Sequence, residues 1–120
     1  MRLELQHVSI PMRRGGHDDA CAFYGGLLGL EERDVPPKLD ASQLVWFRVG
    51  GDLELHCFES AGRALRPQHF CLRLDSGLDD LRARLEAAGV ECADTTEIVG
   101  RPRFVARDPF GNGVELTVWE

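Results

Sequence analysis

The chain repeats itself. His7 opens the segment Gln-His-Val-Ser-Ile, and His69 opens Gln-His-Phe-Cys-Leu 62 positions later. Glu54 follows an apolar run and the pair Gly50-Gly51; Glu115 follows Phe104-Val105-Ala106 and the turn Asp108-Pro109-Phe110-Gly111-Asn112, 61 positions on. His7 to Glu54 spans 47 residues and His69 to Glu115 spans 46. A repeat at this offset takes up almost all of the 120 residues. Self-similarity on that scale means two copies of one supersecondary unit, which excludes most folds at once.

Each copy reads as the same order of elements. The first strand runs from about residue 3 to 11, ended by Pro11 and the glycines beyond it. A helix follows over about 18–28. Asp18 and Asp19 suit the positive end of its dipole, Ala20, Phe23, Tyr24 and Leu27 form a buried stripe, and Gly29 sits just past its end. A short strand over 30–34 is broken by Val35-Pro36-Pro37, and a hairpin takes 42–49 and 53–59. Residues 60–67 link the copies. The second has a strand over 69–74, a helix marked by Leu78, Leu81, Leu85 and Ala88 and stopped by Gly89, and a short strand over 90–92. The closing hairpin turns on Asp-Pro-Phe-Gly-Asn, in which proline presets one φ and glycine supplies a positive one. The expected class is therefore α+β: one domain over 1–120, made of two βαβββ modules at about 1–60 and 67–120.

A chain of this length is too short for two independent domains. Its net charge of −6 speaks against nucleic acid or an anionic membrane as partner. No apolar run approaches about 20 residues, and Met1-Arg2-Leu3-Glu4 begins no signal peptide. Cys21, Cys57, Cys71 and Cys92 lack paired spacing and read as reduced thiols, so a cytoplasmic location is expected.

Strand parity places Val114, Leu116 and Val118 on one face and Glu115, Thr117 and Trp119 on the other. A carboxylate there either faces water or has a cation to face. A lone strand histidine is more often a hydrogen-bonded core or rim residue than a ligand. Polar groups at repeat-related positions are different, because a pseudo-two-fold axis gathers equivalent strands. His7, His69, Glu115 and one residue of Glu54-Leu55-His56 are then candidate ligands of one divalent metal. Imidazole and carboxylate suit Fe, Mn, Ni, Co or Zn alike, with positions left for substrate oxygens. Glu54 and His56 share a face, so either can be the fourth ligand, and the repeat spacing pairs Glu54 with Glu115. A three-His, one-Glu site leaves the ion at net +1 and makes it the stronger Lewis acid. Around this set, Trp46, Arg48, Arg103 and Trp119 lie on strands that can line a site, and Cys71 shares the parity of His69. His17 is expected exposed, Phe23, Tyr24 and Cys57 in the core, and Asp79, Asp80 and Glu86 on a solvated face.

Five stretches carry a family resemblance: His7-Val8-Ser9-Ile10, Ala22-Phe23-Tyr24-Gly25-Gly26-Leu27-Leu28-Gly29-Leu30, Glu54-Leu55-His56, His69 to Asp75, and Asp108 to Leu116. In that order they resemble the vicinal oxygen chelate superfamily, which takes in glyoxalase I, extradiol dioxygenases and bleomycin-resistance proteins. The resemblance implies modules whose sheets curve into a cup around a metal. It favours His7, His56, His69 and Glu115 as the metal ligands, with Glu54 as base or alternate ligand, so that Glu54 and Glu115 are the candidate catalytic carboxylates. It implies a metal-dependent lyase or isomerase acting on a small substrate chelated through adjacent oxygens. The alternatives are an Fe(II) dioxygenase and a metal-free protein that sequesters a drug. It further implies a homodimer, with each site built from one chain or shared between two.

Overall fold

The computed structural model describes residues 1–2, 4–61 and 68–118; most of the expected link and Trp119 fall outside them. The chain divides into two compact units, Met1–Arg63 and Ala64–Glu120. Each carries a four-stranded mixed sheet with little helix, as the repeat requires.

In the first unit the strands are β1 (His7–Met12), β2 (Glu31–Arg33), β3 (Leu44–Arg48) and β4 (Glu54–Glu59), in the spatial order β1-β4-β3-β2. β1 runs parallel to β4, and the other pairs are antiparallel. β1 starts four residues later than expected, at His7 instead of Leu3. The helix is the larger departure. Helix α1 covers only His17–Ala20, and Cys21–Leu27 continues as a π-helix, seen in the bond from Leu28 N–H to the Phe23 carbonyl. A π turn takes one residue more than an α turn, and here Ala20, Phe23 and Tyr24 are all buried. Gly29, at φ 71°, ends the helix as expected. Tyr24 packs on Phe47 at 5.6 Å between ring centres, and Val45, Phe47, Leu55 and Cys57 complete a layer almost without exposure. Each such large side chain is worth about 1.5–3 kcal/mol. Strand parity sends Leu44, Trp46, Arg48, Glu54, His56 and Phe58 to the opposite face.

The second unit repeats the order: β5 (His69–Leu74), β6 (Cys92–Ala93), β7 (Arg103–Arg107) and β8 (Gly113–Val118), arranged β5-β8-β7-β6, with α2 over Leu78–Ala87. Leu81 and Leu85 of α2 are buried, and the Arg82 guanidinium lies 5.4 Å over the Phe104 ring. The β7–β8 turn is tied by one side chain. The Asp108 carboxylate accepts bonds from the backbone N–H groups of Phe110 (2.9 Å) and Asn112 (2.8 Å) and from the Asn112 side-chain amide (2.7 Å). β8 is buried along both faces as far as Thr117.

Candidate functional site

The strand register revises the repeat. In the first unit His7 lies opposite Glu54 and Ser9 opposite His56. In the second, His69 lies opposite Gly113 and Cys71 opposite Glu115. The equivalent of Glu115 is therefore His56, not Glu54, whose equivalent is Gly113. The spacing misleads because the offset between copies shrinks from 62 at the first strands to 59 at the hairpins.

Within the first unit, His7, Glu54 and His56 come together. The His7 and His56 rings stack with centres 4.3 Å apart and planes 14° from parallel. Trp46 covers the other side of His56 at 3.8 Å and 3°. A hydrogen-bond chain joins the polar ends. His7 Nδ1–H donates to Gln6 Oε1 (2.7 Å), Gln6 Nε2–H reaches Glu54 Oε1 (3.4 Å), and Glu54 Oε1 meets His56 Nε2 (3.1 Å). The bond to Gln6 fixes the His7 tautomer and leaves Nε2 with its lone pair, the arrangement found behind metal-bound histidines. The His56 hydrogen bond is the main reason the Glu54 carboxyl lies below its ordinary pKa; burial opposes it, and Gln6 assists. A carboxylate so held is a weak base at neutral pH, which suits orienting His56 better than taking a proton.

Within the second unit, His69 and Glu115 come together, with His69 Nε2 3.4 Å from Glu115 Oε1. Glu115 is buried and has a cation to face: Arg103 Nη1–H donates to its Oε1 at 2.8 Å. Arg103 is also tied to the Thr96 carbonyl (2.7 Å), while its Nε is buried without a partner. Cys71 is exposed, yet burial of its thiol first and a bond to Glu115 second push its pKa up to about 11.

Each unit by itself offers donors that first-row divalent ions accept: two imidazoles in the first, an imidazole and a carboxylate in the second. Arg103 was expected on a strand that can line a site, but its bond to Glu115 was missed from sequence, as was Gln6 altogether. Gln6 had a signal, since a glutamine precedes both repeat histidines. Arg103 had none beyond its strand, because it reaches Glu115 diagonally across the β7–β8 pair.

A third group lies on the first unit, away from the expected residues. Among the described residues, His17, Cys21 and Glu32 are the group of His, Cys, Asp or Glu donors whose ligand atoms all fall within 4.8 Å of one another. The Cys21 thiol is raised to about 11, chiefly by burial and next by Glu32. No helix among the described residues is long and apolar enough to cross a membrane.

The chain is similar to known proteins over its whole length. A protein of the glyoxalase family from Bacillus anthracis superposes with a TM-score of 0.89 and 26% identity, covering 100% of this chain and 98% of that one. A lactoylglutathione lyase from Agrobacterium tumefaciens gives a TM-score of 0.75 at 24% identity, over 98% and 95% of the two chains. An antibiotic binding protein from a Streptomyces gives 0.73 at 21%, over 99% and 98%. The last two likenesses establish the shared fold and no more. No curated protein matches the chain. The sequence profile of the glyoxalase, bleomycin resistance protein and dioxygenase superfamily, however, matches residues 4–116, and the chain belongs to that superfamily.

Proposed function

We propose that the protein is a divalent-metal-dependent enzyme of the lyase or isomerase type, acting on a small molecule that presents two adjacent oxygens. The observation that carries this reading is the register. His56 and Glu115 occupy the same place in their modules, each two residues beyond the one facing the first-strand histidine. His7, His56, His69 and Glu115 are then two equivalent pairs of ligands for one ion of the Fe, Mn, Ni, Co or Zn group. A bound ion of this kind supplies Lewis acidity to the substrate oxygens. The chain's own residues do the rest. Gln6 holds His7 in its tautomer, Glu54 orients His56, and Arg103 fixes the Glu115 carboxylate while offsetting its charge. Glu54 and Glu115 remain the carboxylates for proton transfer, each already held in place, Glu54 by His56 and Glu115 by Arg103.

One observation favours a second reading, a metal-free module that sequesters a small molecule. Arg103 already satisfies Glu115, so the carboxylate needs no metal to be stable where it lies. Elemental analysis of protein purified without added metal or chelator decides between them. A stoichiometric first-row ion that falls on His56→Ala supports the enzyme; protein that takes up none on titration, yet still binds small molecules, supports sequestration.

The working unit on this reading is a homodimer in the cytoplasm, since short sheets with open edges invite two-fold association. Mixing a His7→Ala chain with a Glu115→Ala chain tests whether sites are shared. Shared sites put both lesions in one site of the heterodimer and restore metal binding at the other. Sites closed within one chain restore none, and a monomer at micromolar concentration in sedimentation ends the dimer proposal.

A further inference from the structure

His17, Cys21 and Glu32 are unused by the function above, and their geometry carries an inference of its own. His17 and Cys21 are four residues apart at the start of the helix, so their side chains share one face. β2 brings Glu32 to them. Cys21 Sγ is 4.0 Å from His17 Nε2 and 3.3 Å from Glu32 Oε1, and His17 Nε2 is 3.5 Å from Glu32 Oε2. Ligand bonds of about 2.3 Å for sulfur and about 2.0 Å for nitrogen and oxygen, at tetrahedral angles, set ligand–ligand edges of about 3.3–3.6 Å. The two edges to Glu32, made to different oxygens of its carboxylate, already have that size, and the Cys21–His17 edge is longer. The other imidazole nitrogen is also placed. His17 Nδ1 lies 3.5 Å from Asp18 Oδ1, the carboxylate–histidine pairing that orients a ligand imidazole and raises its basicity.

We propose that His17, Cys21 and Glu32 form a second, peripheral site for a divalent transition metal of the zinc–cobalt class. Water fills the fourth position, and Asp18 orients His17. The donor set is one nitrogen, one sulfur and one oxygen, which selects a borderline ion over calcium or magnesium. On binding, the Cys21 S–H bond breaks, its proton passes to solvent, and a sulfur–metal bond replaces one metal–water bond. His17 and Glu32 are exposed and Cys21 is half-buried, so an ion reaches the site without opening the fold.

Sulfur separates this site from the one proposed above, whose ligands are imidazole and carboxylate alone. The test is a cobalt(II) titration of reduced, metal-free, full-length protein, followed by the near-ultraviolet thiolate-to-cobalt charge-transfer band. The expected result is a band saturating at one cobalt per chain, present equally in a His56→Ala background. Cys21→Ser should abolish it and Cys71→Ser leave it intact. His17→Ala or Glu32→Gln should weaken cobalt binding more than tenfold, and Asp18→Asn by about tenfold. Far-UV circular dichroism checks that each variant is folded. No band up to millimolar cobalt, a band that survives Cys21→Ser, or one indifferent to both His17→Ala and Glu32→Gln overturns the proposal.

Discussion

Opposite His7 stands Glu54; opposite His69, at the equivalent place in the second module, stands Gly113. The first module uses that position for a side chain that joins two histidines through hydrogen bonds. The second has no room for one. A Cβ on Gly113 would come within 2.8 Å of the His69 Cβ and 2.9 Å of the Gln68 carbonyl oxygen. Partner chemistry differs accordingly. His56 is held between two rings and a carboxylate, whereas Glu115 is held by a guanidinium. The same strand order thus supports a stacked, hydrogen-bonded group of side chains in one module and a buried ion pair in the other.

That contrast can be broken most forcefully at the ion pair. Arg103→Met leaves Glu115 buried without its counter-charge and should destabilise the protein by about 3 kcal/mol in urea denaturation. Arg103→Met combined with Glu115→Gln should cost clearly less than the single change. Equal losses would mean that Arg103 acts by packing rather than charge.

Next in size is the steric difference. Gly113→Ala should cost about 1–3 kcal/mol, because the backbone of β5 cannot move away without losing its pairing with β8. Glu54→Ala, at the equivalent position, should cost less than about 1 kcal/mol, since only hydrogen bonds at a partly exposed site are lost. A Gly113→Ala protein as stable as the parent would show that the two strands lie further apart than described.

On the metal-binding reading, the relay of the first module gives a smaller, graded effect. Gln6→Ala and Glu54→Gln should each weaken divalent-ion binding by about tenfold while leaving the urea midpoint nearly unchanged. Loss of all binding on Glu54→Gln would make Glu54 the ligand and remove His56 from that role.

The smallest effect concerns how each hairpin is entered. Only the first module, among the described residues, prefaces its hairpin with a capped 3₁₀ turn, where Asp40 accepts bonds from the Ser42 hydroxyl (2.5 Å) and backbone N–H (3.0 Å). Those bonds hold the Asp40 carboxyl below its ordinary pKa of 3.8, the hydroxyl contributing most. Its folded pKa lies below its unfolded one, so its contribution is complete above the unfolded value and disappears as pH falls through the folded one. Asp40→Asn should therefore lower the melting temperature slightly at pH 7 and narrow the gap to the parent below about pH 4. A gap that widens on acidification would contradict the assignment.

Legibility from sequence followed the range of each interaction. β5 was read to its exact residues, and α2 to within one, because periodicity and a glycine stop are local signals. Cys71 was placed on the face of His69 by parity alone, whereas Glu115 was brought to them only by the repeat. Register was not legible, since three residues lost between β5 and β8 leave no local mark and shift each pairing by more than one strand period. The π-helix escaped for a related reason: the stripe Ala20, Phe23, Tyr24 and Leu27 satisfies an α-helix equally well. For the His17 group, the four-residue spacing of His17 and Cys21 was visible, but Glu32 joins them only through the placement of β2.

The ring stack around His56 has a directional consequence. With His7 over one side and Trp46 over the other, the imidazole offers no open face for a flat aromatic guest. It can be approached only in its own plane, edge-on, where its ring nitrogens lie. Trp46 lies nearly parallel to it, so any tilt of the imidazole is transmitted to the indole ring. Trp46 is one of just two tryptophans in the chain, and a change in its emission would register what arrives at that edge.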